Sequence, residues 1–120
     1  MIVDSSVWLE VFLDGPLHEK CNQILNKKNI FVPTSVICEV YRKLKHKISE
    51  EVALEAIAFL SAYQVIDLNR DIMLLAADIS LEYDLGLADS VVLAAARSAK
   101  CELVTLDNDF SNIPDAVVLR

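Results

Sequence analysis

The chain opens Met1-Ile2-Val3-Asp4-Ser5-Ser6. A very short apolar run stops at an aspartate and two hydroxyl residues follow. Val7, Trp8, Val11 and Phe12 then recur at helical spacing. A buried strand ending in a carboxylate is how an α/β protein places an acid at the carboxyl edge of its sheet, where ligands and metals bind. The pattern predicts a strand at Ile2 and Val3, then a helix to about Leu13 capped by Ser5 or Ser6.

Outward from that start, Asp14-Gly15-Pro16 is a turn and residues 17–28 read as a second helix. Asn29 breaks it, and Ile30-Phe31-Val32 reads as a second strand. After Pro33, Thr34 or Ser35 caps a third helix, whose apolar face is Val36, Ile37, Val40, Tyr41 and Leu44. Ser49 caps a fourth helix to about Ala62, with Glu50 and Glu51 in its first turn, where the helix dipole favours acids. A short strand over 65–68, a helix over 70–83 and a connector at 84–87 come next. Ala88-Asp89 opens a sixth helix to about Ala99. Strands are expected at 102–106 and 116–119. Helices alternating with strands predict a three-layer α/β/α fold around a central parallel sheet of about four to five strands.

Composition agrees. The 120 residues suit one domain over 1–120, and 54% hydrophobic content supplies a packed core. Two glycines and three prolines leave little room for linkers. A net charge of -7 argues against gripping duplex DNA by charge alone, although bound cations would reverse the field of clustered acids. Cys21, Cys38 and Cys101 are odd in number and have no CxxC spacing, which fits packed thiols in a reducing cytosol and not disulfides or zinc. The start shows no signal-peptide pattern, and the apolar runs are too short to span a membrane. A cytoplasmic protein is expected.

Four acids fall where chemistry is expected. Asp4 and Asp107 follow strands and so sit at carboxyl ends. A helix packed between parallel strands runs antiparallel to them, so its start lies at the same edge. Asp89 lies in the first turn of the helix before the 102–106 strand, and Glu39 little more than a turn into the helix after the second strand. Crowded carboxylates stay ionised only with positive charge among them, and an all-carboxylate set suits Mg²⁺ or Mn²⁺. A carboxylate-held Mg²⁺ is the apparatus for phosphodiester hydrolysis. Three of them also have a plainer reading: Asp89 as a helix cap, Asp107 as a turn former, Glu39 as a solvated helix residue, whereas nothing in a simple strand end requires an acid at Asp4. Only the shared edge joins them. The run Arg42-Lys43-Leu44-Lys45-His46-Lys47 reads either as cations at a helix C-terminus or as a phosphate-contacting patch.

Together, Ile-Val-Asp4-Ser-Ser, Glu39 after Val-Pro-Thr-Ser, Leu87-Ala88-Asp89-Ser90 before an Ala-rich helix, and Thr105-Leu106-Asp107-Asn108-Asp109-Phe110 resemble a PIN domain. Size and motif order resemble the VapC-type toxins of type II toxin–antitoxin pairs. The resemblance covers essentially the whole chain. It implies a Mg²⁺- or Mn²⁺-dependent endoribonuclease acting on single-stranded RNA. Asp4, Glu39, Asp89 and Asp107 would be its catalytic and metal-holding acids. Asp109 matches a more variable acid, and Ser6 and Thr105 match supporting hydroxyls. Arg42, Lys43, Lys45 and Lys47 become RNA-contact candidates, and a homodimer and a cognate antitoxin are implied. Ser90 stands where a small residue such as Ala is common.

Three rivals can be stated from the residues. A phosphatase with a strand-end aspartate nucleophile would need a second acid two residues on, where Ser6 stands. A non-catalytic binding module, with a vestigial or structural metal site, would use the apolar helices, especially 52–60, to hold a partner. An RNA-processing PIN nuclease would act outside toxin–antitoxin systems.

Overall fold

A computed structural model describes residues 1–27 and 29–120; the predicted end of the second helix at Lys28 lies outside the described residues. The chain runs β1 (Ile2–Val3), α1 (Ser5–Phe12), α2 (His18–Leu25), β2 (Phe31–Pro33), α3 (Thr34–Lys47), α4 (Glu50–Ser61), β3 (Gln64–Ile66), α5 (Arg70–Tyr83), α6 (Leu87–Ser98), β4 (Leu103–Thr105), a 3₁₀ turn (Asn108–Phe110) and β5 (Ala116–Val118). All strand pairs are parallel, in the order β3-β2-β1-β4-β5. Six helices around this five-stranded sheet among the described residues form the expected α/β/α sandwich.

The order fixes where a site belongs. The chain steps from β1 outward to β3, then crosses back to β4 on the other side of β1. Right-handed crossovers in opposite directions put their helices on opposite faces. A crevice therefore opens outside the carboxyl ends of β1 and β4, the topological switch point of an open parallel sheet. Asp4 and Asp107 are the residues that follow or nearly follow those two strands.

Packing explains the elements. β1 and β4 are buried throughout, as central parallel strands require. α6 is buried along Ser90–Ala96 without a break, because a helix apolar on every side must lie inside. Trp8 is fully buried, donates its indole N–H to the Val3 carbonyl at 3.2 Å, and packs with Phe12, Phe59 and Tyr63. With glycine scarce, Asp14, Asn29, Asp84 and Lys100 take the left-handed backbone at turns and helix ends. Asp84, at φ 55°, closes α5 before α6 starts.

Three local expectations differ from the structure. The cap of α1 is Asp4 itself, accepting from the Ser5 N–H, and not Ser5 or Ser6. The extended backbone of the strand end already has cap geometry, and aspartate caps as well as serine. At α3 the cap position is Pro33, with no side-chain bond. Thr34 Oγ1 instead accepts from the Leu68 N–H at 3.4 Å, and among the described residues the buried Ser35 hydroxyl has no partner. Cys38 is exposed and not a packed thiol, because it falls on the outer side of α3. The Ser49 cap of α4 is as read, with its hydroxyl accepting from the Val52 N–H at 3.2 Å.

Candidate metal centre

Asp4 is 6% exposed, and its carboxylate meets three donors. Oδ1 accepts from the Ser5 N–H at 2.8 Å; Oδ2 accepts from Ser6 Oγ at 3.0 Å and Thr105 Oγ1 at 2.8 Å. Each hydroxyl also takes a backbone N–H from the β4 end, Ser6 from Leu106 and Thr105 from Asp107, both at 3.0 Å. The two hydroxyls thus stitch the end of β1 to the end of β4 through Asp4. Burial pushes the Asp4 carboxyl above its usual range, the Thr105, Ser6 and Ser5 donors pull it down, and the nearby Asp107 charge raises it.

Asp107 caps the 3₁₀ turn, accepting from the Asp109 N–H at 2.9 Å. Buried Phe110 anchors that turn and brings Asp109 round beside its neighbour. One carboxylate oxygen each from Asp89, Asp107 and Asp109 lies within 4.8 Å of the others. Asp89 reaches the group from the first turn of α6. Its carboxyl is pushed up to about 6, first by burial, then by the charges of Asp107, Asp4 and Asp109. Glu39, half-buried on α3, accepts from Ser5 Oγ at 3.2 Å. Its carboxyl is raised by burial, then by Asp4 and Asp89, with Ser5 lowering it.

Of the four acids singled out from the sequence, Asp89 and Asp107 stand in the tight carboxylate group, while Asp4 and Glu39 lie outside it but near enough for their charges to act on its members or on one another. Asp109, read as support, stands within the tight carboxylate group; its signal was the Asp-Asn-Asp spacing after a strand. Ser5, read as a cap, touches both Asp4 and Glu39. An oxygen-only, carboxylate-rich donor set with no histidine or cysteine in the group fits a hard divalent cation.

Basic residues flank the crevice. Arg42 and Lys43 line a cleft of about 420 Å³ together with Ser5, Ser6, Glu39 and Cys38. Arg42 also borders a second cleft, of about 400 Å³, with Tyr41, Lys45 and His46. Lys45 lies 3.6 Å from Glu50, and Lys47 is exposed in the last turn of α3.

An open parallel sheet with carboxylates gathered at its switch point is the architecture of the PIN domain. The PIN-domain family model matches residues 1–116, and the chain belongs to that family. Its fold is similar to a chain of a toxin–antitoxin complex from Klebsiella pneumoniae, 25% identical over 98% of this chain and 95% of that one, with a TM-score of 0.83. It is also similar to Mycobacterium tuberculosis VapC20, described as a sarcin–ricin loop cleaving toxin, at 20% identity over 99% and 98% of the two chains and a TM-score of 0.84. A DNA-bound VapBC complex from Salmonella typhimurium aligns over 98% of this chain and 95% of that one, at 18% identity and a TM-score of 0.78. The last two are likenesses of fold. No curated protein matches the sequence.

Proposed function

We propose that this chain, as one domain over 1–120, is a Mg²⁺- or Mn²⁺-dependent endoribonuclease that hydrolyses single-stranded RNA as the toxin of a type II toxin–antitoxin pair. The observation that carries the reading is the carboxylate group at the switch point, with ligand oxygens of Asp89, Asp107 and Asp109 within 4.8 Å. Asp4, Asp89 and Asp107 would hold the cation, and Glu39 would complete the oxygen shell or orient the attacking water. A divalent cation there lowers the pKa of water and neutralises phosphoryl charge. The chain's own part is to hold that geometry. Asp4 is fixed by three donors at the end of a buried strand, so its oxygens have no freedom to wander. Ser6 and Thr105 support it. Arg42, Lys43, Lys45 and Lys47 draw the RNA backbone along α3 toward Glu39, offsetting the repulsion of an acidic chain.

Partner binding has its own surface. Phe12, Leu44, Val52, Glu55, Ala56 and Phe59 line a groove of about 230 Å³ between α1 and α4, and Phe59 is 51% exposed. This groove would seat the antitoxin, a partner supported by the Klebsiella likeness. Leu74, Leu81 and Leu87 are exposed on α5 and the start of α6, and would be covered in a homodimer. Among the described residues no helix is long and apolar enough to cross a membrane, in keeping with the proposed cytoplasmic location.

The test is cleavage of a single-stranded RNA by purified protein with Mg²⁺ or Mn²⁺, wild type against Asp4→Asn. The asparagine keeps the shape and a carbonyl oxygen for the Ser5 cap, so the fold should survive. Cleavage should fall by at least about 100-fold. Cleavage at the wild-type rate would remove this site from consideration. The binding-module alternative predicts no cleavage by wild type with either cation, and an absence of Mn²⁺ heat in calorimetry would favour it.

A further inference from the structure

Ser5 differs from the other hydroxyls of the crevice. Ser6 and Thr105 both serve Asp4, whereas Ser5 divides its two groups between two acids. Its N–H donates to Asp4 Oδ1 at 2.8 Å and its Oγ donates to Glu39 Oε2 at 3.2 Å. It is 7% exposed, at the first position of α1. Glu39 arrives on a different helix, 34 residues away in sequence. Among the described residues, Ser5 supplies the hydrogen bond that the Glu39 carboxylate receives.

Glutamate has three side-chain torsions, and a half-buried carboxylate facing other acids would otherwise swing outward toward solvent. A hydroxyl on the rigid strand–helix junction opposes that swing. Because the Ser5 N–H is tied to Asp4, the positions of the two carboxylates are referred to a single residue.

We infer that Ser5 is a positioning residue that fixes Glu39 against Asp4 for cation binding, through its side-chain hydroxyl and not through its place in the α1 cap. This rests on the metal-site reading above. Ser5→Ala leaves the backbone N–H and the Asp4 cap in place and removes only the bond to Glu39. Ser5→Thr keeps the hydroxyl.

The experiment is Mn²⁺ titration calorimetry on wild type, Ser5→Ala, Ser5→Thr, Glu39→Gln and the double variant Ser5→Ala/Glu39→Gln, with no RNA present. Ser5→Ala should weaken Mn²⁺ binding about 10-fold, the scale on which outer partners act on metal ligands. Ser5→Thr should stay within about threefold of wild type, on that same scale. In the Glu39→Gln background, adding Ser5→Ala should change affinity by less than about twofold, because the bond it removes has already lost its charged acceptor. Equal losses in both backgrounds would overturn the inference, since Ser5 would then act through Asp4. Wild-type affinity in Ser5→Ala would also overturn it. If wild type itself takes no Mn²⁺, the metal-site reading fails first, which separates the two failures. Should Ser5→Ala not fold, Ser5→Cys, close in size and a poor donor, replaces it with the same expected outcomes.

Discussion

Asp89→Asn should make the metal-free protein more stable and the metal-bound protein relatively less so. In the absence of cation, burial and the charges of Asp107, Asp4 and Asp109 push the Asp89 carboxyl from 3.8 to about 6. A rise of that size is worth roughly 3 kcal/mol against the ionised form. Asp89 is only half-buried, so solvent screening leaves about 1.5 kcal/mol of real strain. The amide also gives up a favourable first-turn charge on α6, about 0.5 kcal/mol. The net gain at pH 7.5 is about 1 kcal/mol, or roughly 3–5 °C in Tm for a chain of this size. The pH dependence has a definite sign. Between 3.8 and about 6 the native protein holds a proton that the unfolded chain has released, so the stability contribution of Asp89 falls as pH rises through that window. The variant lacks this slope. Its advantage should be near zero at pH 4 and complete above pH 7. Thermal melts in chelator at the two pH values read this directly. Adding Mn²⁺ should reverse the order, because only wild type gains binding free energy, about 2.7 kcal/mol at 100 times its Kd. Asp89→Asn melting below wild type in chelator at pH 7.5, or an advantage that ignores pH, would refute the reasoning.

Thr105→Val should cost about 1–3 kcal/mol in chemical denaturation, since it leaves Asp4 Oδ2 with Ser6 as its one remaining donor and takes the acceptor from the part-buried Asp107 N–H. A loss below about 0.5 kcal/mol would mean that the stitch between β1 and β4 is easily replaced by water. The pair Arg42→Ala/Lys43→Ala should raise KM for RNA while leaving kcat nearly unchanged. It should also lower the slope of log affinity against log salt by about 1–2. An unchanged salt slope would place the RNA backbone elsewhere.

The chain's first strand, its helix order and the shared edge of Asp4, Glu39, Asp89 and Asp107 were legible because they depend on local pattern plus one handedness rule. What could not be read was anything requiring contacts between distant segments. The Ser6–Asp4–Thr105 stitch joins residues 101 positions apart, and no periodicity carries it; the family resemblance alone pointed to the two hydroxyls, without their partners. Ser5 and Ser6 both looked like caps because a hydroxyl after a strand has that meaning locally; only the fold shows Asp4 taking the cap and freeing both hydroxyls for other partners. Asp109 was undervalued for a related reason. A 3₁₀ turn and a simple reverse turn share a sequence signature, yet only the former, pinned by Phe110, turns the second aspartate toward Asp89.

The buried indole of Trp8 gives the molecule a built-in optical reporter. It is the only tryptophan, so all indole emission comes from one position. It sits four residues beyond Asp4 and directly under Phe12 and Phe59, which line the α1–α4 groove. Its fluorescence should be blue-shifted in the folded chain. Occupancy of the groove should alter its intensity through the ring contacts, whereas cation binding acts at the far end of α1. One unlabelled spectrum would then follow partner capture.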